Sequence, residues 1–159
     1  MQARDIMTPS PSVGAPGDSL RSIARVMRDS DCGAVPIVDA GRLVGIITDR
    51  DLVIRALADG ANGDTPVSNF ITASAHCAGP NDDLRVVQAI MVENQVRRVP
   101  IVDADGVCLG IISQADLARA ALRGQPVSEH EVARVVERIS EPRRTSSEKR
   151  VEQAMKELR

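Results

Sequence analysis

Two stretches of the chain place a hydroxyl and a carboxylate three residues apart at the end of a short aliphatic run. The first is Gly45-Ile46-Ile47-Thr48-Asp49-Arg50-Asp51, and the second is Gly110-Ile111-Ile112-Ser113-Gln114-Ala115-Asp116. Such a run delivers Thr or Ser to a helix start, with Asp at the third helical position, and that arrangement can do two things. It can close a capping box, in which each side chain satisfies the other residue's backbone N–H. It also suits a nucleoside. Free N–H groups and the positive end of the helix dipole favour a phosphate, and a carboxylate can accept hydrogen bonds from both ribose hydroxyls. The two uses compete for the lone pairs of Asp51 and Asp116, and the motif alone leaves both open.

What must position these groups is a unit written twice. GAVPIVDAGRLVGIITDRDL, from Gly33 to Leu52, returns as RRVPIVDADGVCLGIISQADL, from Arg97 to Leu117. Leu20 matches Leu84, Met27 matches Met91, Pro36 matches Pro100 and Asp39 matches Asp103, all at a spacing of 64 residues (84 minus 20). After one extra residue in the second copy's turn, Gly45, Thr48 and Asp51 match Gly110, Ser113 and Asp116. A period this long, spanning polar and apolar positions alike, marks a duplicated supersecondary unit. Any site the unit carries is doubled with it.

Ahead of each copy stands a connector, Ala3 to Ser10 and Ser68 to Ser74. Pro9, Pro11, Gly14, Pro16 and Gly17 break helix there, which predicts an extended segment with a short strand around Ser12 to Val13. Asp18 or Ser19 then caps a helix carrying Leu20, Ile23, Ala24 and Met27, repeated as Leu84, Val87, Ile90 and Met91. The runs Val35 to Val38 and Leu43 to Ile47, joined by Asp39-Ala40-Gly41-Arg42, read as a hairpin. A helix from about Asp49 to Leu57 follows, stopped by Asp59-Gly60. The fold class is therefore α/β (α+β), with Asn62 to Pro66 linking a first unit, residues 1–64, to a second, residues 65–126. Beyond Gln125-Pro126 the apolar stripes Val132, Val135, Val136, Ile139 and Val151, Ala154, Met155, Leu158 predict an amphipathic helical tail over residues 127–159.

Composition narrows the function. A chain of 159 residues supports one body with a core, whereas each repeat alone would be marginal. The chain is 43% hydrophobic with Phe70 as its one aromatic residue, so the core is aliphatic. A net charge of -2 and the missing aromatics supply neither a basic footprint nor a stacking platform for nucleic acid. No apolar run reaches the length of a membrane span, and the N-terminus lacks a signal-peptide core, so a soluble cytoplasmic protein with no membrane partner is expected. Cys32, Cys77, Cys108, His76 and His130 show no metal-ligand spacing, which predicts buried reduced thiols and no metal site. There is no P-loop lysine pattern, Gly-x-Ser-x-Gly elbow or Ser/His/Asp constellation, and no catalytic residue is expected.

The ordered set of Met7-Thr8-type connector, helix, Val-Pro-Ile-Val-Asp strand and Gly-Ile-Ile-[Thr/Ser]-x-x-Asp before a helix occurs twice, over about residues 3 to 122. In this the chain resembles a tandem pair of CBS domains, a Bateman module of the small stand-alone bacterial type. The resemblance implies two pseudo-twofold-related repeats, each a small three-stranded sheet with two helices, enclosing two clefts. It implies a regulatory module with no obligatory cofactor that takes an adenosyl ligand such as AMP, ADP, ATP or NAD, pairs into a homodimer and acts on an unidentified regulated protein. An interaction scaffold with vestigial clefts is the alternative, and a third reading is a nucleotide-hydrolysing enzyme with Asp51 or Asp116 as base, which would need an activating metal or partner group that the sequence does not display. Carried over residue by residue, Thr48 with Asp51 and Ser113 with Asp116 become the ribose and phosphate contacts. Thr8, Pro9 and Ser10, and Thr72, Ala73 and Ser74, together with Val35 and Val99, match the positions that enclose adenine. Arg98 and Arg50 become candidate phosphate ligands, since a guanidinium suits phosphate oxygens. Gly33-Ala34 stands in the first copy where Arg97-Arg98 stands in the second, so the clefts are expected to differ.

Overall fold

A computed structural model of the protein describes residues 1–73, 75–124 and 126–142. Ser74 and the stripe Val151, Ala154, Met155 and Leu158 lie outside them. The first copy runs from β1 (Thr8–Pro9) through α1 (Leu20–Asp29) to the hairpin β2 (Ala34–Asp39) and β3 (Arg42–Thr48). Ser19, not Asp18, caps α1, its hydroxyl accepting the Ser22 N–H at 3.1 Å. The hairpin turn places Ala40 and Gly41 at φ of 47° and 81°, the left-handed pair a two-residue turn requires. α2 (Asp49–Asp51) then continues as a π-helical stretch (Leu52–Leu57), a widening that the apolar spacing does not distinguish from α-helix.

The second copy repeats the order with β4 (Thr72–Ala73), α3 (Leu84–Asn94), β5 (Arg98–Val102), β6 (Cys108–Ser113) and α4 (Gln114–Leu122). Its extra turn residue is held by the Asp103 carboxylate, which accepts the N–H groups of Asp105 and Val107, each at 2.9 Å. The turn also reaches the other hairpin, where the Leu43 N–H donates to the Gly106 carbonyl at 2.9 Å.

Each sheet has three strands, but the third comes from the other copy. One sheet is ordered β1-β6-β5 and the other β2-β3-β4. The N-terminal connector thus completes the second copy's hairpin, with Thr8 opposite Ile111 and Pro9 opposite Gly110. Reciprocally, Thr72 lies opposite Ile46 and Ala73 opposite Gly45. The motif glycines explain the close approach. A Cβ on Gly45 would stand 2.8 Å from the Thr72 carbonyl oxygen, and one on Gly110 would stand 3.0 Å from that of Thr8. The strand expected at Ser12 to Val13 is displaced to Thr8–Pro9, leaving at Gly14 only a parallel bridge to Ile37. Pro36 and Pro100 are tolerated because β2 and β5 are edge strands in this order.

Two aliphatic cores result. Leu20, Ile23, Met27, Val35, Ile37 and Ile47 form one, closed by Val67 from beyond the linker. Leu84, Val87, Met91, Val99, Ile101, Ile112 and Leu117 form the other, closed by Ala3 from the N-terminus. This second core also takes up α5 (Glu129–Ser140), whose Val132, Val135 and Ile139 pack against α3 and α4. Val136, expected on the same stripe, is 37% exposed. Among the described residues no helix is long and apolar enough to cross a membrane.

Candidate functional site

Both Thr/Ser-x-x-Asp motifs close as capping boxes. At the start of α2 the Asp51 Oδ2 accepts the Thr48 N–H at 3.0 Å and its hydroxyl at 2.6 Å. At the start of α4 the Asp116 Oδ2 accepts the Ser113 N–H at 2.7 Å and its hydroxyl at 2.6 Å. Each carboxylate keeps a second oxygen for other partners, and an arginine occupies it. Arg119 Nη2 donates to Asp116 Oδ1 at 2.6 Å, three residues along an α-helical turn. Arg55 Nη1 reaches Asp51 Oδ1 only at 3.3 Å, four residues along the widened π-helical stretch.

A cap by itself is no ligand signature. Ser128 and Glu131 make the same reciprocal bonds at the start of α5, the Ser128 N–H donating to Glu131 Oε2 at 2.8 Å. What sets Ser113 and Asp116 apart is the surrounding space. They line a cavity of about 410 Å³ together with Thr8, Ser10, Arg98 and Arg119, a volume within the ~300–1,000 Å³ of small-molecule sites. First-copy residues from Ser30 to Ala34 line it as well, so the cleft lies between the repeats.

The swapped connectors decide which predicted residues meet. Thr8 and Ser10 join Ser113, Asp116 and Arg98, because β1 runs along β6 and Arg98 sits opposite Ser113 in the ladder. Ser10 enters the cleft in a left-handed conformation, φ 47°. The mirrored set is Thr72 and Ala73 alongside β3, which ends at Thr48 and the Asp51 cap. Pro9 is exposed and pairs with Gly110. Arg50 is exposed, its own N–H donating to Asp49 Oδ1 at 2.7 Å. Val35 and Val99 are fully buried in the two cores, and neither lines the cleft. Ser74 lies outside the described residues.

Arg98 is the cation of the cleft that, among the described residues, has no ion-pair partner. Its guanidinium extends over Gly33, where a Cβ would stand 2.9 Å from Nη2 and 2.8 Å from the Asp49 carboxylate. Arg119 and Arg55 were missed by the motif reading, although an arginine one helical turn after each Asp was visible. The cysteines are less buried than expected. Cys77 is exposed, while Cys32 and Cys108 are half-buried, and all three are free thiols. Burial pushes the Cys108 thiol above its ordinary range, while its bond to the Gly110 carbonyl at 3.6 Å pulls the other way. Among the described residues no three His, Cys, Asp or Glu side chains gather as a metal site.

Comparison with known proteins adds the following. The CBS domain model matches residues 3–57 and 67–123, one copy each. Hypoxic response protein 1 of Mycobacterium tuberculosis is 34% identical over 142 residues, covering 88% of this chain and 94% of its own. The crystal structure of Hypoxic Response Protein I with two coordinated zinc ions superposes with a TM-score of 0.69 at 36% identity, covering 75% of this chain and 98% of the other. That of CBSX2 in complex with AMP gives a TM-score of 0.68 at 27% identity, covering 77% and 96%.

Proposed function

The chain belongs to the CBS domain family, and from that premise we propose that it is a non-enzymatic regulatory module that senses an adenosyl ligand between its repeats. Two repeat units, residues 1–64 and 65–126, followed by the tail 127–159, form the working module. Neither unit is proposed to fold alone, because each sheet borrows its third strand. AMP, ADP, ATP or NAD is the ligand class, as the AMP complex of CBSX2 supports. One observation carries the reading. A cleft of about 410 Å³ assembles the Asp116 carboxylate, the helix-capping hydroxyl of Ser113, the connector hydroxyls of Thr8 and Ser10, and the Arg98 guanidinium, which has no ion-pair partner among the described residues, on one ligand-sized space. Asp116 then takes the ribose, Ser113 and Thr8 the adjoining hydroxyl or phosphate oxygens, and Arg98 the phosphate. Thr48, Asp51 and Arg50, with Thr72, Ala73 and Ser74, form the corresponding set for the first copy.

Ligand binding changes the equilibrium between states only to the extent that they bind it differently. The module is proposed to pass that difference to a homodimer, and through it to a regulated protein in the cytoplasm. Calorimetric titration with AMP, ADP, ATP and NAD tests the reading. Saturable binding that Asp116→Ala abolishes supports it. A second reading, a scaffold with vestigial clefts, draws on the observation that cap and arginine already occupy both oxygens of Asp116. No heat with any adenosyl compound favours the scaffold.

A further inference from the structure

The Asp116–Arg119 pair lies between two spaces. Both residues line the cleft of about 410 Å³, and both also line a neighbouring cavity of about 190 Å³ with Asp5 and Arg123. The carboxylate is heavily used. Oδ2 carries the two Ser113 bonds, and Oδ1 carries Arg119 at 2.6 Å. A carboxylate offers about four lone-pair sites, so a vicinal diol, which needs two, does not fit while Arg119 stays. Disrupting the cap instead would free the helix N-terminus at a cost. Arg119 is the member open to solvent: its side chain is 59% exposed, against 10% for that of Asp116.

Resting on the adenosyl reading of this cleft, we infer that Arg119 is a displaceable latch that makes the site select phosphorylated nucleosides over bare ones. A ribose that takes Asp116 Oδ1 must push the guanidinium off. The freed cation loses that partner, and a ligand phosphate in the same cleft replaces it, whereas an uncharged nucleoside leaves it only solvent and the single carboxylates of Asp31 in the cleft and Asp5 in the neighbouring cavity. Arg98 differs in kind. It faces the cleft without holding the carboxylate, so it adds to phosphate binding without opposing ribose binding. The first copy carries a looser version, with Arg55 at 3.3 Å from Asp51.

The test titrates adenosine and AMP into the full chain, the Arg119→Gln and Arg98→Gln variants, and Arg119→Lys as a second variant that keeps the cation should Arg119→Gln lose its fold. Removing the latch is expected to tighten adenosine about fivefold, the scale of a partly exposed ion pair, while AMP is unchanged or weakened. The AMP-to-adenosine affinity ratio then falls about fivefold or more. Arg98→Gln is expected to weaken AMP and leave adenosine unchanged, and Arg119→Lys to fall between wild type and Arg119→Gln. Equal shifts for both ligands in the Arg119 variants overturn the latch and leave the adenosyl reading standing. Failure of every adenosyl compound to bind the wild-type chain overturns that reading, and the latch with it.

Discussion

Asp116→Ala separates the two roles that the carboxylate holds. In the free protein the side chain closes the cap of α4 through Ser113, at 2.7 and 2.6 Å, and holds Arg119 at 2.6 Å. The Ser113 hydroxyl still accepts the backbone N–H of residue 116 in the variant, but losing its own acceptor costs about 1 kcal/mol. A half-buried Ser113 N–H left without its acceptor adds a cost of the same order. The Arg119 pair adds less, because the arginine is mostly in solvent. Together the loss is about 2 kcal/mol, or roughly 5 °C in Tm for a chain of this size. The ligand arm of the experiment is independent of that loss. At 100 times its dissociation constant AMP should stabilise the wild-type chain by about 2.7 kcal/mol, and the variant by little or nothing. Urea unfolding followed by circular dichroism, with and without AMP, reads both quantities. A variant that loses about 2 kcal/mol yet keeps the full AMP stabilisation refutes the ribose role and leaves Asp116 a cap.

Asp51→Ala should cost somewhat less than Asp116→Ala in the same urea assay, because its arginine partner stands at 3.3 rather than 2.6 Å; equal losses would show that the arginine contacts do not matter. Gly110→Val should displace the N-terminal strand from β6, since its Cβ meets the Thr8 carbonyl at 3.0 Å, and limited proteolysis should show faster cleavage near Thr8. Ile139→Ala, at a side chain 6% exposed, should lower stability by about 2 kcal/mol, whereas a neutral result would mean that α5 is not part of the second core. Acid should loosen α5. The Ser128 N–H holds the Glu131 carboxyl below its ordinary range, with help from the Ser128 hydroxyl. That contribution is therefore complete above the unfolded-chain value of about 4.3 and fades as pH falls through the lower native value. Glu131→Gln should flatten the acid limb of the melting profile, and an unchanged limb would contradict the cap's role.

The duplication, the element order and the paired motifs were all legible in the sequence, because periodicity and turn chemistry are local signals. Ser19, Gly41 and the Val-Pro-Ile-Val-Asp strands carry their conformations in their own residue types. The exchange of connector strands was not legible. Thr8-Pro9 and Thr72-Ala73 are short and exposed, and nothing in their composition says which hairpin edge they join. That exchange sorts the candidate site, giving Thr8 and Ser10 to Ser113 and Asp116. Arg119 and Arg55 escaped for a different reason. Whether an arginine three or four residues after an Asp reaches back depends on the helical phase, and the π-helical stretch at Leu52–Leu57 changes it in one copy only. The burial expected of Cys77 is not observed, its side chain being exposed just ahead of the buried Ala78.

The central claim is that the inter-repeat cleft holds an adenosyl ligand, and amide chemical shifts test it most directly. AMP titrated into the ¹⁵N-labelled full chain should move the amides of Thr8, Ser10, Ala34, Arg98, Ser113 and Asp116 furthest, in one saturable process. Saturating AMP, ADP, ATP and NAD that leave those amides in place would contradict the account.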